Sequence, residues 1–185
     1  MTSSIGRLVE IMGDPGRGRV ELRWEGAVER LGVRLPQDYR ELVERYGYLE
    51  FGGDIRVSTP VLEPGGPEEE TFNGLYYFNK DVGEMLDGWY EWNPEFGRPY
   101  EPFPKEGCLL AWANNTMCDY FCWDTSVGDP EQWPVVVWRF DTSELIPFDG
   151  GMADFLTALL TGEFPDADEL IDRSMDPDVW RSLSP

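Results

Sequence analysis

Helix-type and strand-type patterns of apolar residues occupy separate blocks of this chain. Near the N-terminus, apolar side chains recur at the three- and four-residue spacing of amphipathic helices in Ile5–Met12, Trp24–Leu31 and Tyr39–Tyr46. Strand-type runs fill the middle, and a broad helical stripe over Met152–Leu160 ends at Gly162. This segregation predicts an α+β fold, in which N-terminal helices and a C-terminal helix pack on a mainly antiparallel central sheet.

The predicted strands lie between these helices, and the chain termini are expected outside the sheet. Two short runs around a Gly-Gly pair predict a hairpin, and four later runs predict further strands: Tyr48–Phe51, Asp54–Thr59, Cys108–Ala113, Asp119–Asp124, Pro134–Phe140 and a short one near Glu144–Pro147. The segment Thr71–Trp92 is ambiguous in its first half. Its second half has helical spacing and predicts a helix over Asp81–Trp92, capped by Asp81. Four tryptophans on or beside strands are expected in the core: Trp112, Trp123, Trp133 and Trp138.

The length of 185 residues favours one domain. Two Pro-rich stretches, 60–67 and 93–107, are predicted to be loops, because the chain on either side of each is too short for an independent core. No apolar run approaches the roughly 18 residues of a membrane span. The N-terminus lacks the apolar core of a signal peptide, so a cytoplasmic location is expected.

Negative charge dominates most of the chain. There are 36 acidic and 15 basic residues, which give a net charge of −21. The first 48 residues hold eight of each sign, so residues 49–185 carry the whole −21. Such a chain repels nucleic acid and anionic membranes. The acidity either steers a basic protein partner or serves solubility alone.

The absence of histidine excludes several kinds of site. No Ser-His-Asp or Cys-His catalytic set and no His-ligated metal site can form. The three cysteines, Cys108, Cys118 and Cys122, match neither a CxxC redox motif nor a zinc-ligand set. We expect free thiols that pack as small buried hydrophobic side chains. Neither a cofactor nor a metal is predicted.

Six short motifs follow one another between Gly26 and Phe164: LGVRLPQDYRELVERYG, FGGDIRV, CLLAWANN, DYFCWDT, GDPEQWPVVVW and IPFDGGMADFLTALLTGEF. Together they resemble the SUKH superfamily, the Smi/Knr cell-wall-assembly-regulator-like domain. The positions that match are Leu35, Pro36, Tyr39, Gly47, Asp119, Trp123, Asp129, Pro130, Trp133, Pro134, Phe148, Phe155, Leu156, Leu159, Leu160 and Gly162. Cys118 departs from the pattern, because the family often has glycine before the aspartate. The chain is therefore interpreted as a single SUKH-like domain over 1–185, with 1–25 and 163–185 as extensions.

The resemblance implies a non-enzymatic protein-binding module. Bacterial members of the superfamily are mostly immunity proteins that neutralise polymorphic toxins, often nucleases. Fungal relatives coordinate cell-wall synthesis through protein contacts. The main hypothesis is a cytoplasmic immunity protein that binds a basic toxin through an acidic surface. A scaffold for a housekeeping protein is the alternative, and a carbohydrate-acting enzyme with paired carboxylates is a remote one.

Three acidic segments are candidates for partner binding. The first is the run Glu68, Glu69 and Glu70, which a solvated loop would also explain. The second is the segment Asp87–Glu95, which combines acids with aromatic anchors in a cluster predicted to be exposed: Asp87, Trp89, Tyr90, Glu91 and Trp92. The third is the GDPEQW turn, where Asp129 and Glu131 either bind a partner or hold the turn.

Overall fold

The computed structural model describes residues 5–16, 18–51, 54–60, 73–165, 167–171 and 180–182. The α-helices are α1 (Gly6–Met12), α2 (Glu25–Leu31), α3 (Gln37–Tyr46), α4 (Asn73–Trp92), α5 (Met152–Thr161) and α6 (Ala167–Leu170). The strands are β1 (Leu49–Phe51), β2 (Ile55–Val57), β3 (Glu101–Pro102), β4 (Cys108–Asn114), β5 (Tyr120–Asp124), β6 (Val135–Arg139), β7 (Glu144–Phe148) and β8 (Trp180–Ser182). Two 3-10 turns span Pro94–Phe96 and Pro130–Gln132.

One sheet joins the eight strands of the described chain. Seven follow the order β7-β6-β5-β4-β2-β1-β8, and each neighbouring pair is antiparallel. The short β3 pairs in parallel with the start of β4. The predicted class, mixed α+β with a mainly antiparallel sheet and helices toward both ends of the chain, is confirmed.

Both faces of the sheet are covered, because successive side chains of a strand point to opposite sides. On one face, alternate residues of the central strands join the main core with α1, α3 and α5: Leu110, Trp112, Phe121, Trp123, Val135 and Val137. Their neighbours on the other face form a second cluster with α4: Leu109, Ala111, Tyr120, Cys122, Val136 and Trp138. All four tryptophans predicted in the core are buried.

Helix α4 is longer than predicted. Asp81 does not cap it but lies in its middle, so the predicted start at Asp81 is wrong. The prediction failed because Asn79, a polar residue, interrupts the apolar stripe that the helix buries. The Asn79 amide donates to the carbonyl oxygens of Leu75 and Ala111 at 3.0 Å and accepts from the Ala111 amide at 2.6 Å. Asn79 thus satisfies the backbone of β4 at the irregularity between Ala111 and Ala113.

Gly83 sets the distance between α4 and the chain before β4. A Cβ atom at Gly83 would lie 2.3 Å from the carbonyl oxygen of Phe103. We expect Gly83→Ala to lower the free energy of unfolding by about 1–3 kcal/mol, because the backbone must move apart. Gly88→Ala, in the same helix with no atom within 4 Å of its added methyl group, is the control. It should raise stability by up to about 1 kcal/mol through helix propensity. Urea denaturation measures both, and a Gly83→Ala protein as stable as wild type would contradict this packing.

The C-terminal segment returns to the sheet. Strand β8 pairs with β1, with Leu49 opposite Ser182 and Phe51 opposite Trp180. The expectation that the termini lie outside the sheet is therefore wrong for the C-terminal end. The edge of β1 presents backbone N–H and C=O groups that can pair with a further strand, and no local sequence pattern reveals this pairing. Upstream, Leu170 and Ile171 are buried in the main core. No helix of the described chain has the length and apolarity that crossing a membrane requires.

Candidate functional site

The C-terminal end of α4 separates buried from exposed aromatic side chains. Trp89 and Tyr90 are only 8% and 3% exposed, since they continue the buried stripe of the helix onto the sheet. Trp92, the last residue of the helix, is 85% exposed. The prediction of an exposed aromatic cluster is therefore wrong for Trp89 and Tyr90, whose side chains belong to the second core cluster. It holds for Trp92, beside the exposed Glu91.

A chain of aromatic rings supports this end of the helix. Phe96, 53% exposed, has its ring centroid 5.4 Å from that of Trp89. Trp89 in turn lies 6.3 Å from Trp138, and its indole nitrogen donates to the Ser143 hydroxyl at 3.2 Å. The Asn93 amide donates to the Trp89 carbonyl oxygen at 2.9 Å, which fixes the chain between Trp92 and Phe96. The exposed ring of Phe96 thus rests on buried side chains, which lowers the entropy cost of using it in binding.

We define the Trp92 surface as six residues: Asp87, Glu91, Trp92, Glu95, Phe96 and Arg98. The sequence analysis included Glu95 but missed Phe96, because Phe96 follows the helix in the 3-10 turn Pro94–Phe96. A signal for Phe96 was present, since the acid–aromatic pair Glu95 and Phe96 follows Glu91 and Trp92 after a two-residue break.

The region around this surface has an excess of carboxylates. Residues 73–106 contain seven acidic and three basic side chains. Each of the three cations is already paired, in the bridges Lys80–Glu84 at 3.7 Å, Arg98–Asp87 at 2.6 Å and Lys105–Glu101 at 3.0 Å. Four carboxylates of this region therefore form no salt bridge within the described chain: Asp81, Glu91, Glu95 and Glu106. Glu91 also acts on Arg98 through space, and the four carboxylates together add negative charge that can attract a cation from a partner.

The GDPEQW turn is explained by the fold. The Asp129 carboxylate accepts from the Glu131 amide at 3.2 Å and caps the 3-10 turn. The Glu131 carboxylate accepts from the Gln37 amide at 2.8 Å and lies 3.8 Å from the Arg40 guanidinium. It thereby places negative charge at the positive end of α3. Both side chains therefore stabilise local structure, which is one of the two roles predicted for them. Glu68, Glu69 and Glu70 lie outside the described residues.

A groove of about 530 Å³ lies on another part of the molecule and was not predicted. The end of α2, the loop before β4 and the turn before β6 form its walls, which include Leu31, Val33, Phe103, Lys105, Cys108 and Trp133. These residues come from distant parts of the sequence, so no local motif predicts the groove. Lys105 is paired with Glu101, and burial raises the pKa of the Cys108 thiol. That shift disfavours the thiolate that nucleophilic chemistry needs.

Cys118 is the cysteine that departs from expectation. Cys108 and Cys122 are buried, as predicted, but Cys118 is exposed in the turn between β4 and β5. Its φ of 65° lies in the left-handed region that favours glycine. The prediction of a buried side chain is wrong here, because the turn fixes the backbone and leaves the side chain in solvent.

Two buried carboxylates act as structural anchors. Asp38 accepts from the amides of Tyr39 at 2.7 Å and Ala153 at 2.9 Å, so it joins α3 to the first turn of α5. Asp119 accepts from the Asn115 side chain at 3.0 Å and from the Phe140 amide at 3.2 Å. Burial is the main cause that raises the pKa of both groups above the usual range.

These shifts predict a pH dependence of stability. A carboxyl whose pKa is higher in the folded state binds its proton more tightly there, so stability rises as pH falls through the folded pKa. The gain in stability is complete once the pH falls below the carboxyl pKa of the unfolded chain, which is about 4. We expect the melting temperature of the wild-type protein to rise on moderate acidification from neutral pH. The double variant Asp38→Asn, Asp119→Asn should show a clearly smaller rise in differential scanning calorimetry. An equal rise in both proteins would assign the effect to the other carboxylates.

Comparison with known protein families gives a match over most of the chain. A sequence model of the SUKH_6 family, described as SMI1-KNR4 cell-wall, matches residues 21–156. No curated protein and no solved structure matches the chain. The matched range includes the sheet from β1 to β7 and the whole of α4, and it therefore contains the Trp92 surface.

Proposed function

Because the chain belongs to the SMI1-KNR4 family of the SUKH superfamily, we propose that it is a cytoplasmic immunity protein that neutralises a basic toxin by binding to it. Membership supports a non-enzymatic module of the immunity or regulator type, which acts through a protein partner. The finer proposal concerns the nature of that partner and the surface that meets it.

The observation that carries the proposal is the combination found on the Trp92 surface. A tryptophan that is 85% exposed stands beside carboxylates that form no salt bridge within the described chain. Tryptophan is enriched among the side chains that contribute most of the binding energy at protein interfaces. A toxin that acts on nucleic acid needs a basic cleft for phosphate. Carboxylates of an inhibitor can occupy such a cleft and exclude the substrate.

The test starts from the gene beside the one that encodes this chain. The two proteins are produced together, and the neighbour's toxicity and nuclease activity are measured with and without the chain. The proposal predicts a stable complex and stoichiometric inhibition that follows the binding curve. A neighbour without toxicity, together with a housekeeping protein as the binding partner, would favour the scaffold alternative instead.

Electrostatic steering predicts a salt-dependent association rate. We expect the association rate constant to fall by about tenfold from low to physiological salt, where the Debye length shrinks to about 8 Å. The charge reversal Glu91→Lys, Glu95→Lys should lower that rate at low salt. The control Glu10→Lys, Glu29→Lys changes net charge equally but in the N-terminal part, whose charges sum to zero. Stopped-flow kinetics measure all three proteins, and an association rate independent of salt contradicts steering.

A further inference from the structure

The Trp92 surface carries features that select one kind of cation. We propose that it binds an arginine side chain of the partner, whose guanidinium group stacks on Trp92 and pairs with the carboxylates of Glu91 and Glu95. This inference deepens the proposed function, on which it rests, by naming the chemistry that the surface recognises.

The neighbouring Arg98 shows the same arrangement within the chain. Its guanidinium group lies 2.6 Å from the Asp87 carboxylate and 5.3 Å from the ring centroid of Tyr90. A second arginine, Arg30, lies 4.2 Å from the ring centroid of Tyr76, near the other end of α4. The aromatic side chains of this helix thus already contact guanidinium groups at two places.

Trp92 is the exposed aromatic residue at this end of α4, and the described chain supplies no such cation for it. Tyr90 has Arg98, whereas Trp92 has neither a ring contact nor a cation contact among the described residues. The three basic side chains of residues 73–106 are all held in salt bridges. Within the described chain no basic side chain forms a salt bridge with Glu91 or Glu95, and Arg98 acts on Glu91 only through space while it pairs with Asp87. We therefore assign the cation that stacks on Trp92 to a partner.

Arginine fits this surface better than lysine does. A guanidinium group is planar, weakly hydrated and able to stack on a ring while it donates to a carboxylate. Tryptophan is the ring that binds cations most strongly. A lysine ammonium is compact and strongly hydrated, so it would satisfy the carboxylates and leave the indole face less well covered.

Two blocked peptides of equal charge test the proposal on the full chain. The probes are acetyl-Gly-Arg-Gly-Arg-Gly-amide and its lysine counterpart, titrated at low salt and followed by the indole N–H signals in NMR spectra. The Trp92 signal is identified by its loss in Trp92→Phe. We expect it to shift with the arginine peptide, with an affinity about threefold or more above that of the lysine peptide.

Matched charge-neutralised variants separate this surface from the general acidity. Glu91→Gln, Glu95→Gln should weaken arginine-peptide binding at the Trp92 signal by about threefold or more. Asp81→Asn, Glu106→Gln removes the same charge from exposed carboxylates outside the surface and should leave that signal's titration nearly unchanged. Equal affinities for the two peptides, an unmoved Trp92 signal or equal weakening in both variants would overturn the proposal. A complex with the neighbour-encoded toxin that persists after such a result would leave the proposed function standing. If the arginine peptide binds at Trp92 but the chain inhibits no toxin, the arginine-binding surface stands and the proposed immunity function falls.

Discussion

Trp92→Ala is expected to speed dissociation of the partner by roughly 30-fold, which corresponds to about 2 kcal/mol, the usual threshold for an interface hot spot. Its unfolding free energy should stay within about 0.5 kcal/mol of wild type, because the side chain is 85% exposed. Surface plasmon resonance gives the dissociation rate, and urea denaturation gives the stability.

Tyr77→Ala is the matched control for that substitution. Tyr77 lies on the same helix and is 54% exposed, but it packs against Tyr76 at the other end of α4. Its loss should leave the dissociation rate close to wild type. Equal acceleration by both substitutions would show that the partner covers the whole helix, and no acceleration by Trp92→Ala would remove this side chain from the interface.

Trp89→Ala should have the largest effect on the fold, with a loss of about 3–5 kcal/mol in the unfolding free energy. The side chain is buried and contacts Phe96, Trp138 and Tyr90 within the second core cluster. Binding should weaken too, because Phe96 loses the ring that supports it. The measurement is equilibrium urea denaturation.

Trp89→Phe helps to interpret that result. It keeps an aromatic ring against Trp138 but lacks the indole donor that meets Ser143. We expect a loss of stability smaller than that of Trp89→Ala, with partner affinity largely retained. A Trp89→Ala protein with nearly wild-type stability but weakened binding would mean that Trp89 contacts the partner directly, contrary to its burial.

The fold class was predictable because apolar periodicity depends on burial, and most elements bury one clear face. Helix α5 was predicted from one buried apolar stripe, formed by Met152, Phe155, Leu156 and Leu159. The end of the helix was predicted from Gly162, which adopts the left-handed conformation. The tryptophans of the central strands were placed correctly in the core for the same reason.

Features that depend on contacts between distant segments were not predictable. Asn79 interrupts the apolar stripe of α4, and only its bonds to Ala111 explain a polar side chain there. Strand β8 needs the free edge of β1, which no local pattern reveals. The groove beside Trp133 likewise arises from three separate segments.

The exposure of the side chains proposed for the candidate site was predictable only in part. Acidic and aromatic residues together pointed to the end of α4, but composition cannot tell which side of a helix faces the sheet. The structure assigns Trp89 and Tyr90 to the core and exposes Trp92. It also adds Phe96, whose exposure depends on the turn after the helix.

Hydrogen–deuterium exchange of the chain alone and in complex with its toxin tests the central claim most directly. The account predicts slower exchange in peptides that cover residues 84–98, because the partner shields the Trp92 surface. Peptides from α1 and α2 should exchange at unchanged rates. Protection confined to 103–108 and 125–133, the segments around the groove, with residues 84–98 unaffected, would contradict the account.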